Sequence, residues 1–347
     1  MQAPQARAVL LWLNPVFDHN AIETAELTPL TDSGFWTICL RFPASLRASY
    51  RIAIWEHDER PPWRIAEGRR EVIVAAREAG SPDPRATENT VDPNGRPVSI
   101  AHGPKASQEL WDPTPRQKPL SEETSPSSRL DHLPLSGGAG AWVQAPAVHC
   151  PATPFIILFD GRRWKEMGLP RILDQAVEVG VLPPVHLALL DVGDPRDRGE
   201  QLGVPGGQVD VLLDELLPQI RAQWNVTREG SDTIVAGQSL GGIAALWTLA
   251  LSDGEVGRAI AQSPSLWRFD VAEPLLSAAG WTSIQLQAGV HEGHMIDATH
   301  NLEQTLDSDL RLQGRKVRRT VFTGGHDWPA WRAELVTALA EVLPVSA

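Results

Sequence analysis

Residues 237–241 read Gly237-Gln238-Ser239-Leu240-Gly241, a G-x-S-x-G pentapeptide. An apolar, strand-like run, Thr233-Ile234-Val235-Ala236, precedes it, and a helix-like run, Ile243 to Ala250, follows. A strand that turns sharply into a helix needs glycines where the backbone is crowded, and it lifts the serine hydroxyl to a helix N-terminus. There the free N–H of Leu240 is placed to stabilise an oxyanion. The chemistry this implies is nucleophilic attack by Ser239. A phosphate loop would need a Lys-Ser/Thr pair downstream, and none is present.

A serine hydroxyl needs a general base, usually His, and a group that orients the base. In this arrangement the partners follow the nucleophile in the chain, acid before His. Thr323-Gly324-Gly325-His326-Asp327-Trp328 lies between the last strand-like and last helix-like segments, which makes His326 the expected base. The acid is expected in Gly289-Val290-His291-Glu292-Gly293-His294, with Glu292 first. Asp297, at the start of the next helix, stands second, and a Ser-His dyad stays open. The His291-Glu292-Gly293-His294 run misses H-E-x-x-H by one position, so no metal and no cofactor are expected.

The second oxyanion donor should come from the loop after an early strand, where Phe159-Asp160-Gly161-Arg162 offers the N–H groups of Gly161 and Arg162. Arg162, Arg163 and Lys165 there, with Arg196 and Arg198 on a second loop, place positive charge at strand C-terminal ends, where open α/β sheets bind ligands. An anionic substrate is the sharper reading; solvated surface arginines are the blander one.

The elements that must position these residues follow from the rest of the chain. The 347 residues suggest two domains. A hydrophobic fraction of 42% with 21% charged residues describes an ordinary folded protein. The net charge of −12 disfavours nucleic acid as a partner. Cys39 and Cys150 form no metal knuckle or disulfide framework. Ala8 to Leu13 is too short for a signal peptide, and no run approaches the roughly 18 apolar residues of a membrane span. Residues 1 to about 75 read as β-rich, with runs at Val9–Leu13, Phe35–Phe42 and Tyr50–Trp55, suggesting a small sandwich. Prolines crowd residues 80–126, which should hold no long helix or central strand. The expected boundaries are an N-terminal domain over 1–111, a linker over 112–126 and a catalytic domain over 127–347. After a hairpin (Ser128–Leu133 and Gly140–Ala145), strands are predicted at Phe155–Phe159, Val185–Leu190, Thr233–Ala236, Val256–Ala261, Ser283–Ala288 and Val317–Phe322. Helices are predicted at Gln208–Trp224, Ile243–Leu251, Ala298–Leu312 and Pro329–Val342. The alternation indicates a mostly parallel sheet covered on both faces.

Several segments resemble the enterochelin (enterobactin) esterase family. Phe155-Ile156-Ile157-Leu158-Phe159-Asp160-Gly161-x-x-Trp164 resembles its L-L-D-G-x-x-W segment, and Gly237 to Leu246 its G-Q-S-F-G-G-L-x-A-L elbow. Ser263-Pro264-Ser265-Leu266-Trp267 resembles S-x-S-x-W, Gly289 to Glu292 resembles G-I-R-E, and Gly324 to Arg332 resembles G-G-H-D-x-x-x-W-R. Gly34 to Thr37 and Asp92-Pro93 extend the likeness into the N-terminal half. The resemblance implies an Ig-like β-sandwich domain followed by an α/β-hydrolase domain, with Ser239 as nucleophile and His326 as base. It implies hydrolysis of the trilactone of a ferric catecholate siderophore in the cytoplasm, the iron being cargo. That substrate is a trianion with aromatic arms, which agrees with the arginine loops and the 13 tryptophans. Trp164 and Trp267 are expected either to flank the ligand or to pack in the core. One departure is visible: the family's R-x-x-E-L reads Arg198-Gly199-Glu200-Gln201-Leu202 here, which puts the partner of Arg198 in doubt. Rival readings are a serine esterase for other acyl or feruloyl esters, and a non-catalytic siderophore- or glycan-binding module.

Overall fold

The structure is a computed structural model describing residues 1–31, 33–92, 95–110, 130–148, 150, 152–310 and 314–345. The expected linker at 112–126 and the first residues of the expected hairpin lie outside them. Two compact units emerge. One comprises Met1–Ser107 with Thr323–Ala330; the other comprises residues 108–110, 130–322 and 331–345.

In chain order the strands are β1 (Ala8–Leu13), β2 (Thr28–Pro29), β3 (Trp36–Thr37), β4 (Arg47–Trp55), β5 (Asn89–Val91), β6 (Pro97–His102), β7 (Leu130–Pro134), β8 (Gly140–Gln144), β9 (Phe155–Leu158), β10 (His186–Asp191), β11 (Thr233–Gln238), β12 (Arg258–Gln262), β13 (Ser283–Gly289) and β14 (Lys316–Phe322).

The first unit is an antiparallel sheet in the order β1-β4-β6-β5, plus the ribbon β2-β3. Two expectations change. β6 is a central strand within the proline-rich stretch; Pro97 is tolerated because it is the first residue of the strand. Residues Gly68–Ala79 form a helix inside the segment read as β-rich. Its Val72-Ile73-Val74 run looks like strand, yet Val72 and Ala76 are the buried pair, four apart on one helix face, and the helix packs on β1 and β4. Arg51, on β4, is buried; its terminal nitrogens bond Asp92 at 3.0 Å and the carbonyls of Arg77, Arg96 and Pro97, which offsets the burial of the charge.

The second unit is an eight-stranded sheet in the order β14-β13-β12-β11-β9-β10-β8-β7. β7, β8 and β10 pair antiparallel, and every other pairing is parallel. This is the α/β-hydrolase architecture. β9 (Phe-Ile-Ile-Leu), β10 and β11 are buried along their whole length, as strands covered on both faces must be. The edge strand β14 carries Lys316, Arg318 and Arg319, charges that discourage edge-to-edge pairing. Helices fill the crossovers. Gly161–Glu166, Leu169–Glu178, Arg198–Leu202 and Ala272–Ser277 add to those predicted. Residues 208–223 are helical with a π-helical middle, Val211–Leu216. Pro218 follows that turn; it has no N–H to donate, and the wider π turn absorbs the fault. Among the described residues no helix is long and apolar enough to cross a membrane.

Candidate active site

β11 ends at Gln238, and Leu240–Leu251 begins one residue later, so Ser239 alone makes the turn. Its φ of 57° and ψ of −119° are costly for a residue with a side chain, of order 1–3 kcal/mol. Neighbours hold it there. The Ser239 N–H donates to the Gln262 carbonyl at 2.9 Å, and its carbonyl accepts from the N–H of Ser265 at 3.0 Å. The end of β12 and the Ser263-Pro264-Ser265 loop therefore grip the elbow from both sides. Gly237 is obligatory: a Cβ there would lie 2.2 Å from the Gly241 carbonyl oxygen. The N–H groups of Gly242 and Ile243 go to the Ser239 carbonyl. The first N–H of the helix, that of Leu240, has no intrahelical acceptor and faces the dipole's positive end.

Asp160 organises the second loop. It sits in the left-handed region (φ 60°, ψ 40°), buried, just before Gly161–Glu166. Its Oδ2 accepts from the Gln238 amide at 2.6 Å and from the Arg198 guanidinium at 2.7 Å; Arg198 Nε donates to Oδ1. The loop after β9, the residue before the nucleophile and the loop after β10 are thus one network. Sequence reasoning missed it, although Asp160 and Gln238 both lie in the segments singled out. The same network supplies Arg198 with its carboxylate, which is Asp160 and lies outside the R-x-x-E-L segment.

Glu292 is buried on the loop after β13, and its Oε2 accepts from the Ser263 hydroxyl at 2.6 Å and from the Gly289 N–H. Ser263 Oγ in turn accepts from the Trp331 indole N–H at 2.9 Å. Indole nitrogen only donates, so the single hydroxyl proton of Ser263 is directed to Glu292. Asp297 instead lies exposed in the first turn of His294–Leu310, where an acidic residue favours the helix dipole. His326 is exposed, and its carbonyl accepts from Asn14 Nδ2 at 3.3 Å. The next residue, Asp327, is buried and accepts from the N–H and hydroxyl of Ser49 at 2.6 and 2.8 Å; burial pushes its carboxyl above the usual range.

Three expectations for the binding loops change. The Arg162 N–H donates to Asp191 Oδ2 at 3.1 Å, so it is already engaged and not open to an oxyanion. Trp164 is 0% exposed and is core, so it does not flank a ligand. The arginines are not free cations: Arg162 pairs with Asp191 at 3.4 Å, Arg163 with Glu166 at 2.7 Å, Arg196 with Asp194 at 2.5 Å, and Arg198 with Asp160. Lys165 lies over the Trp142 ring at 4.6 Å. Trp267, by contrast, is 64% exposed. Among the described residues no group of His, Cys, Asp and Glu could hold a metal ion.

Two family models match the chain: the putative esterase model over residues 143–342 and the N-terminal domain of enterochelin esterase over residues 2–112. The iron(III) salmochelin esterase of Escherichia coli O6:H1 is 27% identical over 96% of this chain and 83% of its own length. The iron(III) enterobactin esterase of Dickeya dadantii is 26% identical over 95% of this chain and 82% of its own. The Shigella flexneri enterobactin esterase, crystallised in the presence of enterobactin, shares the fold with a TM-score of 0.79, 22% identity, and coverage of 97% of this chain and 88% of its own. With the esterase model covering its catalytic domain and the enterochelin esterase model covering the residues ahead of it, the chain belongs to the enterochelin esterase family.

Proposed function

We propose that this protein is a serine esterase that opens the trilactone of a ferric catecholate siderophore of the enterobactin type and so releases iron. The observation that carries the reading is Ser239, a strained and partly exposed serine at the positive end of a buried helix. Family membership supplies the substrate class. Ser239 Oγ attacks a lactone carbonyl while His326 takes its proton. The N–H groups of Leu240 and Gly161 hold the tetrahedral oxyanion. As the intermediate collapses, the C–O bond to the leaving serine breaks and His326 returns the proton to that oxygen. Water, deprotonated by His326, then hydrolyses the acyl-enzyme and frees Ser239. Glu292, fixed by Ser263, stabilises the charged imidazolium.

Trp267 offers an exposed indole face for a catechol ring. Arg162, with 42% of its side chain exposed, and Arg196, with 88%, sit in ion pairs that yield to a polyanion at small cost, since exposed pairs are worth about 0–1 kcal/mol. Arg163 and Arg198, less exposed, contribute less directly. The iron is substrate cargo, and the compartment is the cytoplasm.

Purified protein incubated with ferric and iron-free enterobactin should yield linear trimers, followed by chromatography, and Ser239→Ala should yield none. Turnover unaffected by Ser239→Ala would exclude this mechanism. Faster cleavage of small acyl or feruloyl esters than of any siderophore would replace the substrate assignment.

A further inference from the structure

The loop bearing His326 is packed into the N-terminal domain: Thr323–Ala330 belongs to the same compact unit as Met1–Ser107. Its attachments are specific. The Arg47 N–H donates to the Thr323 carbonyl at 3.3 Å, and Ser45 Oγ donates to Thr323 Oγ1 at 2.9 Å. Asn14 Nδ2 donates to the carbonyl of His326 itself. Gly325 packs so closely that a Cβ there would lie 2.3 Å from Pro15 Cβ. Its φ is not positive, so this glycine serves the close approach.

The strongest attachment is at Asp327. It is 3% exposed, and no Arg, Lys or His among the described residues forms an ion pair with it. A carboxylate so deeply buried is tolerable only if its oxygens meet donors. Ser49 meets both, its backbone N–H on Oδ2 and its hydroxyl on Oδ1. Ser49 is in the middle of β4, a strand paired on one side with β1 and on the other with β6. A rigid sheet therefore grips the residue adjacent to His326. Without that grip, a loop containing Gly324 and Gly325 would retain much of its conformational freedom.

We propose that the N-terminal domain is a positioning element of the catalytic machinery: through Ser49 on Asp327, with Asn14 and Ser45 in support, it fixes the backbone that aims His326. This rests on the reading of His326 as the base. It gives the domain a part in turnover, whatever part it plays in substrate recognition.

The test uses full-length variants, with kcat expressed per Ser239 titrated by a fluorophosphonate. Asp327→Ala orphans the Ser49 N–H and should lower kcat about 10²-fold with KM changed less than about threefold, the scale expected when a reacting group is misplaced by about 1 Å. Asp327→Asn should lose less than about fivefold, because its carbonyl oxygen keeps the Ser49 N–H while the Ser49 hydroxyl turns to accept from its amide. Ser49→Ala should lower kcat about tenfold, and Ser49→Thr should restore it, by the same misplacement argument. If Asp327→Ala does not fold, the Ser49→Ala and Ser49→Thr pair decides. Wild-type kcat per titrated site in Ser49→Ala, with only the titratable fraction or the melting temperature reduced, overturns the proposal and leaves a structural contact. His326→Ala separates the two readings: full activity in that variant refutes the base assignment, whereas its inactivity beside an unaffected Ser49→Ala refutes the clamp alone.

Discussion

Replacing Asp160 tests whether the elbow and the two binding loops are one network. Asp160→Ala has three consequences. The Gln238 amide, 0% exposed, loses its acceptor, which costs about 1–3 kcal/mol. Arg198 loses a bidentate partner, but its side chain is 31% exposed and water compensates in part, so about 1 kcal/mol is lost. Alanine must also adopt the left-handed backbone of residue 160, adding about 1 kcal/mol. The sum is about 4 kcal/mol. Asp160→Asn keeps a side chain that tolerates this backbone, yet its NH₂ must face either Gln238 or Arg198, both donors here. It should cost about 2 kcal/mol. Urea unfolding of the esterase domain, followed by intrinsic tryptophan fluorescence, measures both, with an alanine midpoint shift of about 1–2 M expected. A cost below about 1 kcal/mol for alanine, or equal costs for the two variants, would refute the network argument. Turnover should fall in both, because Gln238 precedes Ser239.

Three further outcomes are expected. Ser263→Ala removes the hydroxyl that links Trp331 to Glu292, so kcat should fall about tenfold with little change in KM; an unaltered kcat would show that Glu292 needs no such support. Trp267→Ala should raise KM for a catecholate siderophore about tenfold while leaving cleavage of a small aliphatic ester unchanged, the loss expected of one stacked ring. His186 is buried, and burial pushes its imidazole below the usual value of 6.5. The unfolded chain therefore binds a proton that the folded chain refuses, so stability is complete above pH 6.5 and is lost as pH falls below it. Melting temperatures measured from pH 7.5 to 5.5 should decline in the wild type and decline less in His186→Gln; equal slopes would remove His186 as the cause.

Much of the site was legible because it is local. The run from strand to Ser239 to helix spans a few residues, and the steric demand on Gly237 comes from Gly241, four positions away. Chain order placed Glu292 and His326 on the expected loops. The central strands Phe155–Leu158 and His186–Asp191 were legible for the same reason: a fully buried strand is a short apolar run. The helix Gly68–Ala79 was not, because Val72-Ile73-Val74 suits either period until the packed face is known.

The sequence by itself determined the strand-turn-helix setting of Ser239, the alternation of strands and helices, and the family, all of which rest on residues close in the chain. Only the tertiary structure decided which arginines are already paired, that Trp164 is core while Trp267 is exposed, and that Arg162 spends its N–H on Asp191. It alone joined Asp160 to Gln238 across 78 residues and Asp327 to Ser49 across 278. A charge acquires its role from the partner that satisfies it, and for Asp160 and Asp327 that partner is far away in sequence.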